Sequence, residues 1–264
     1  MTTYERRQFL FDLLRVQPGL RVLELAQALD VSAGTVRNDL NALEGEGKLK
    51  RVHGGAVLTD QEQFQSHSFV RRYRQNIAAK LAIAQGATFL IQDGDSIFLD
   101  ASSTSFYFAR ALSPRRGLRA VTNGFEVARE LAQNHSNQVI LLGGVVDNGS
   151  SSVTGLLSER IIEEFRFQKT FLACSGFSLE RGMTEVHLAE AQLKRKVIES
   201  TQKLFALVDS SKFGKEDLTP FARPEEIFHL FTDSRLPAAW AEALQRAGVA
   251  YTICQEEAIA NQNE

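Results

Sequence analysis

The spacing of apolar positions changes character near residue 60. Before that point the period is helical. Residues 4–16 set Phe9, Leu10, Leu13 and Leu14 on one stripe, and Pro18-Gly19 ends that helix. Residues 21–29 repeat the pattern with Val22, Leu25, Ala26 and Leu29. Asp30-Val31-Ser32 then makes a tight break, with Ser32 placed to cap a third helix. That helix buries Val36, Leu40 and Leu43 at i, i+4 and i+7 and ends around Glu44-Gly45. A short β-like tail follows.

Residues 59–75, TDQEQFQSHSFVRRYRQ, are polar and without clear period, which predicts a linker that turns helical toward its end. From Asn76 the chain alternates between the two periods. Strands are expected at Ser96–Asp100, Leu118–Thr122, Gln138–Leu142, Lys169–Cys174, Leu204–Asp209, Ile227–Thr232 and Val249–Cys254. Helices are expected around 76–91, 103–112, 125–133, 155–164, 187–201 and 237–246. Mostly apolar strands alternating with helices predict an α/β fold with a mostly parallel sheet covered on both faces. The organisation expected is therefore three helices with a β-wing over 1–58, a linker over 59–75 and a larger α/β domain over 76–264.

Composition narrows the classes without naming one. The 264 residues are 44% hydrophobic and 23% charged, ordinary for a globular protein. Arg, Asp, Gln or Gly interrupts every apolar run before it could span a bilayer, and the N-terminus has no signal-peptide core. Cys174 and Cys254 sit in apolar strand-like stretches and read as buried thiols, so neither a disulfide framework nor a metal or cofactor site is expected. The expected location is the cytoplasm. The formal net charge is -2, and residues 1–57 carry eight Lys and Arg against seven Asp and Glu. Any nucleic-acid binding must rest on how charge is arranged.

The arrangement is suggestive. Three short helices whose last pair is joined by Asp30-Val31-Ser32 match a helix-turn-helix plan. A 100° step puts Gly34, Arg37, Asn38 and Asn41 opposite the buried stripe of the third helix. Arg can take guanine bidentately and Asn can take adenine, so this face suits a major-groove reader. Gly34 would let the helix N-terminus approach a phosphate. The run Lys48-Leu49-Lys50-Arg51-Val52-His53-Gly54-Gly55 reads as a wing whose Lys48, Lys50 and Arg51 could meet the backbone. The alternative is a small bundle with a solvated polar face.

In the larger domain, polar clusters fall at the ends of expected strands. Asp100 is followed by Ser102, Ser103 and Thr104 at a helix start, a natural phosphate cradle. Thr122-Asn123 and Gly143-Gly144 close two further strands. Asp209-Ser210-Ser211-Lys212 offers an ammonium for a phosphate and a carboxylate for hydroxyls. Glu190 and Lys194 stand at i, i+4 and could pair with each other. Each cluster singly is also ordinary capping and turn chemistry. A parallel sheet would bring several to one edge.

Two motif sets carry a resemblance. Val31-Ser32-x-x-Thr35-Val36-Arg37-Asn38-Asp39-Leu40-x-x-Leu43 with Gly47-x-Leu49-x-Arg51-x-His53-Gly54-Gly55-Ala56 resembles the signature of the DeoR family of bacterial repressors. Asp93-Gly94-Asp95-x-Ile97-Phe98-Leu99-Asp100, Val121-Thr122-Asn123, Gly143-Gly144, Gly176, Gly182, Thr184, Glu190 and Asp209-Ser210-Ser211-Lys212 resemble its sensor motifs. The resemblance implies a sensor domain similar in fold to sugar-phosphate isomerases that binds a phosphorylated sugar and so releases DNA. Two departures stand out. Asn38 occupies a position often basic in the family, and the family's Gly-Thr-Thr run appears as Ser102-Ser103-Thr104.

The candidate DNA contacts are therefore Ser32, Gly34, Thr35, Arg37, Asn38, Asn41, Lys48, Lys50, Arg51 and His53. The candidate ligand contacts are Asp100, Ser102, Ser103, Thr104, Thr122, Asn123, Gly143, Gly144, Glu190, Asp209 and Lys212. The leading expectation is a non-catalytic repressor of sugar-metabolism genes that binds double-stranded operator DNA. A single winged helix covers a small half-site, so a homo-oligomer, dimer or tetramer, is expected. The alternatives are an activator of the same architecture, or an isomerase-like enzyme using Asp100, Asp209, Glu190 and Lys212 as acid–base groups.

Overall fold

The computed structural model describes residues 3–16, 20–52, 54–58, 69–147 and 149–256. The chain forms two compact units, Met1–Arg71 and Arg72–Glu264.

In the first unit, α1 (Thr3–Val16), α2 (Val22–Leu29) and α3 (Ala33–Gly45) precede a hairpin of β1 (Leu49–Val52) and β2 (Gly55–Leu58). The strands run antiparallel with Leu49 opposite Leu58 and Val52 opposite Gly55. Leu10, Leu14, Leu25, Val36, Leu40, Leu49 and Ala56 close one core. Phe9 departs from its expected place: it is 52% exposed, because Leu10 and Leu14 set the buried stripe and a 100° step turns Phe9 off it. Asp30 ends α2 in the left-handed conformation (φ 52°), and Ser32 Oγ accepts from Thr35 N at 3.1 Å to start α3. Asp39, an acid on the apolar side of α3, is buried because Arg6 (2.6 Å) and Arg7 (3.0 Å) of α1 reach it.

In the second unit, α4 (Phe69–Arg74), which begins just before the boundary, and α5 (Ile77–Ala87) lead to a seven-stranded sheet. Its strands are β3 (Ser96–Leu99), β4 (Arg119–Thr122), β5 (Gln138–Leu141), β8 (Phe167–Leu172), β11 (Thr201–Leu207), β13 (Ile227–Asp233) and β14 (Tyr251–Cys254). Every pairing is parallel, in the order β14-β13-β11-β8-β3-β4-β5. The seven expected strands are these seven. The helices between them are α6 (Ser103–Ala111), α7 (Phe125–Ala132), α8 (Leu156–Glu163), α9 (Leu188–Glu199) and α10 (Ala238–Arg246). Phe98, Phe171, Phe205, Leu230 and Phe231 on the inner strands are buried, as a sheet packed on both faces requires.

Five short strands have no counterpart in the expectations. β6 (Val145–Asp147) pairs with β7 (Ser152–Thr154), while β9 (Gly176–Ser178), β10 (Gly182–Glu185) and β12 (Thr219–Ala222) form a small antiparallel sheet. Three or four residues are too few to show a period. From β3 the chain grows outward to β4 and β5, then returns to lay β8 on the other flank of β3. The carboxyl ends of β3 and β8 therefore flank the switch point, where open α/β sheets bind ligands.

Candidate functional site

The face of α3 opposite its core is open. Gly34, Arg37, Asn38 and Asn41 are exposed, while Val36, Leu40 and Leu43 are buried. Among the described residues no hydrogen bond or ion pair holds the side chains of Arg37, Asn38 or Lys50. Ser32 and Thr35 are engaged in the cap, their hydroxyls 2.9 Å apart. The wing is less uniform than its sequence. Lys50 is exposed, Lys48 meets Glu46 at 2.6 Å, and Arg51 donates back to Asn41 Oδ1. The Arg51 amide also donates to Glu44 Oε1 at 2.7 Å, so this arginine joins wing to helix. His53 lies outside the described residues.

In the second unit the chemistry is buried. Asp100 is fully enclosed at the end of β3. Its Oδ2 accepts from Ala173 N (3.0 Å) and meets Lys194 Nζ at 3.1 Å; its Oδ1 accepts from Ser102 N (3.2 Å) and from the Ser105 hydroxyl. Burial would push its carboxyl up, but Lys194 and these donors outweigh that and hold it below the usual range. Lys194 Nζ also meets Glu185 Oε2 at 2.6 Å and Ala173 O at 2.9 Å. The i, i+4 partner Glu190 is not among its ion pairs, and burial raises the Glu190 carboxyl. Glu190 Oε2 instead accepts weakly, at 3.4 Å, from Asn123 Nδ2.

The strand ends meet as a parallel sheet demands. Asn123 Oδ1 accepts from Ala101 N at 3.0 Å, tying the end of β4 to that of β3. Thr122 Oγ1 accepts from Gly124 N at 3.0 Å, a local turn bond. Ser102 caps α6 by accepting from Ser105 N. Ser103 and Thr104 are each only 4% exposed, yet their hydroxyls have no hydrogen-bond partner among the described residues. Gly143 and Gly144 turn toward α8 and β7. Gly143 O accepts from Ser158 Oγ at 2.7 Å, and at Gly144 (φ 151°) a Cβ would lie 2.4 Å from Thr154 O.

At the end of β11, Asp209 Oδ1 accepts from Asn76 Nδ2 and Ser211 N, each at 3.1 Å. Lys212 is half-buried, and its ammonium has no partner among the described residues. Cys174, at the end of β8, links the two clusters. Burial pushes its thiol up, and Lys194, Glu185, Lys212 and Asp209 all act on it through space.

Four residues absent from the sequence reading also belong here. Lys80 is 4% exposed, donating to Arg72 O and to Gln75 O (2.6 Å). Burial, with Lys212 and Arg72 nearby, pushes it down to about 8 against the pull of Asp209. Arg72, Asn76 and Glu185 complete the set. Lys80 had a signal, as one charge inside the apolar run IAAKLAIA; Arg72, in the run RRYR, had none. Among the described residues no group of His, Cys, Asp and Glu could hold a metal ion, and no helix is long and apolar enough to cross a membrane.

Comparison with known proteins agrees with this division. A model of the DeoR-like helix-turn-helix domain matches residues 6–62, and one of the DeoR C-terminal sensor domain matches residues 75–234. The HTH-type transcriptional regulator GolR of Listeria innocua is 37% identical over 255 residues, covering 97% of this chain and 100% of its own. The lactose phosphotransferase system repressor of Streptococcus mutans is 33% identical over 235 residues, 88% of this chain and 93% of its own. Among solved structures, ribose 5-phosphate isomerase A of Neisseria gonorrhoeae covers 51% of this chain and 52% of its own at 16% identity, with a TM-score of 0.38.

Proposed function

The chain belongs to the DeoR family of transcriptional regulators, and from that premise we propose that it represses sugar-metabolism genes and leaves its operator when a phosphorylated sugar binds the second unit. Arg37, Asn38 and Asn41 read bases in this account, and Lys48 and Lys50 meet phosphates. The observation that carries the effector half is that Ser103 and Thr104 are buried residues whose hydroxyls have no hydrogen-bond partner among the described residues. They stand at a helix N-terminus beside the switch point, where hydroxyls and free amides suit a phosphate. Lys212 adds an ammonium without a partner among the described residues. The sugar repressor of S. mutans points the same way.

The protein acts without turnover in this reading. Asp100, one of the acid–base groups an isomerase of this kind would need free, is held by Lys194, by the Ala173 and Ser102 amides and by the Ser105 hydroxyl. An aldose–ketose assay across sugar phosphates tests this, and turnover would refute it. Assembly into a homo-oligomer through the second unit is supported by exposed Leu141, Val145, Val146, Leu156 and Leu157 beside the edge strand β5. Light scattering on a fragment starting near Asn76 checks it, a monomer counting against. A cytoplasmic location fits two buried free thiols.

An inducer can shift the equilibrium only through its differential affinity for the two states. Lys212→Ala should therefore bind operator normally and stay bound at inducer concentrations that release the wild type. Superimposable release curves would remove Lys212 from the site. A thermal-shift screen of phosphorylated sugars finds the inducer, since a ligand at one hundred times its dissociation constant adds about 2.7 kcal/mol.

A further inference from the structure

Lys50 and Arg51 are adjacent basic residues of the wing, and the strand sends them to opposite sides. Successive side chains of a strand alternate between its faces, so Arg51 shares the side of buried Leu49 while Lys50 faces water. The Arg51 side turns toward α3. The Arg51 amide donates to Glu44 Oε1 at 2.7 Å, and the guanidinium donates through Nη1 to Asn41 Oδ1. Asn41 and Glu44 stand at i and i+3, on one face of the helix, so these two bonds lay the wing strand along that face. Arg51 Nε is buried and has no hydrogen-bond partner among the described residues. Its burial closes the side-on fork by which an arginine grips a phosphate.

The partner fixes which end of the Asn41 amide is left for DNA. A guanidinium only donates, so the amide must turn its oxygen to Arg51. That bond is charge-assisted, roughly twice as strong as a neutral one. What remains is Nδ2, on an exposed residue one turn beyond Arg37 and Asn38. Reading adenine takes both ends of an asparagine amide, one accepting from N6 and the other donating to N7. Asn41 has only the donating end to offer. In the major groove a lone donor discriminates through the keto oxygens, O6 of guanine and O4 of thymine. Purine N7 accepts from it on guanine and adenine alike and so decides nothing. Against adenine N6 or cytosine N4 it would set donor against donor, with the Arg51 charge behind it.

We propose that Arg51 is a positioning residue that turns Asn41 from an adenine reader into a reader of keto oxygens, so that the base it meets is guanine or thymine. This rests on the reading of α3 as the helix that enters the major groove. Asn38 supplies the contrast within the same helix. Its side chain has no partner among the described residues, so it keeps both ends of its amide and with them the adenine option.

The test is selection from a randomised duplex library by the full chain, sequenced for wild type, Asn41→Ala, Asn41→Asp, Arg51→Ala and Arg51→Lys, with circular dichroism on each. The position whose preference disappears in Asn41→Ala is the one Asn41 reads. Wild type should enrich guanine or thymine there over adenine and cytosine by about five- to tenfold, the scale of one hydrogen bond. Arg51→Ala should raise adenine at that position, because the amide regains both ends. Arg51→Lys keeps a donor beside Oδ1 and should hold the keto preference, whereas Asn41→Asp lacks the outward donor and should lose it. A plain phosphate contact would weaken binding at every sequence and move no base. Adenine favoured by wild type at that position, or an unchanged preference in Arg51→Ala, overturns the proposal. If Arg51→Ala does not fold, a keto preference that survives in Asn41→Asp overturns it instead. No position altered in Asn41→Ala, with Arg37→Ala still flattening one, overturns the role of Asn41 and leaves α3 in the groove. A wild type that enriches no sequence refutes both.

Discussion

The two units deploy polar residues in opposite ways. On α3 the proposed reading face is exposed, and among the described residues the side chains of Arg37 and Asn38 have no hydrogen-bond or ion-pair partner. At the sheet edge Asp100, Lys194, Glu185 and Glu190 are all buried, and the first three are locked together. A DNA reader must keep its donors in water until the groove replaces that water. A sensor of a small ligand must hold its donors in place beforehand, so that binding spends little on ordering them. An exposed residue therefore does what its chemistry allows, whereas a buried one does what its neighbours leave it free to do.

Mutation should expose that contrast most sharply at Lys194. Lys194→Met leaves Asp100 and Glu185 buried without their cation, and unfolding in urea should show a loss of about 3–5 kcal/mol. A loss under about 1 kcal/mol would mean the buried charges are not mutually dependent. Arg37→Ala should behave in the reverse sense. Its stability should stay within about 0.5 kcal/mol of wild type. Operator affinity should drop by about 1–3 kcal/mol, measured by titration of labelled duplex. Wild-type affinity with an unchanged circular dichroism spectrum would take α3 out of the groove.

Asp39 is the exception that sharpens the comparison, since it is a buried ion pair inside the reading unit. Burial pushes its carboxyl up, but hydrogen bonds from Arg6 and Arg7 prevail and its pKa lies below 3.8. Its stabilisation is thus present above pH 3.8 and is lost as pH falls through the lower, folded value. Wild type should melt above Asp39→Asn at pH 5, by an amount worth about 1–2 kcal/mol. The gap should narrow below pH 3. A gap independent of pH would show that the arginines do not read the charge.

The smallest effects are expected in the wing, where the two cations part company. Lys50→Ala should flatten the salt dependence of binding by about one unit of slope and leave base preference alone. Arg51→Ala should alter base preference, because it frees Asn41 Oδ1. Identical behaviour of both variants would make Arg51 a plain phosphate contact.

Much of the fold was written locally. Seven parallel strands, the helices between them and the open face of α3 follow from where apolar residues recur, because that period records which side of an element meets water. Ser32 and Ser102 were legible as caps for a similar reason: a cap bonds within three residues of itself. Phe9 and the short antiparallel strands were not, since one stripe position or three residues give too little period to read. Partner choice lay further out of reach. Lys194 bypasses its helical neighbour Glu190 for Asp100, 94 residues back, and for Glu185. Arg51 turns to Asn41, and Arg72 finds itself beside Lys80, whose ammonium takes its carbonyl. A side chain's chemistry states which bonds it can make, but only the packing of distant segments decides which partner stands within 3 Å when water is excluded.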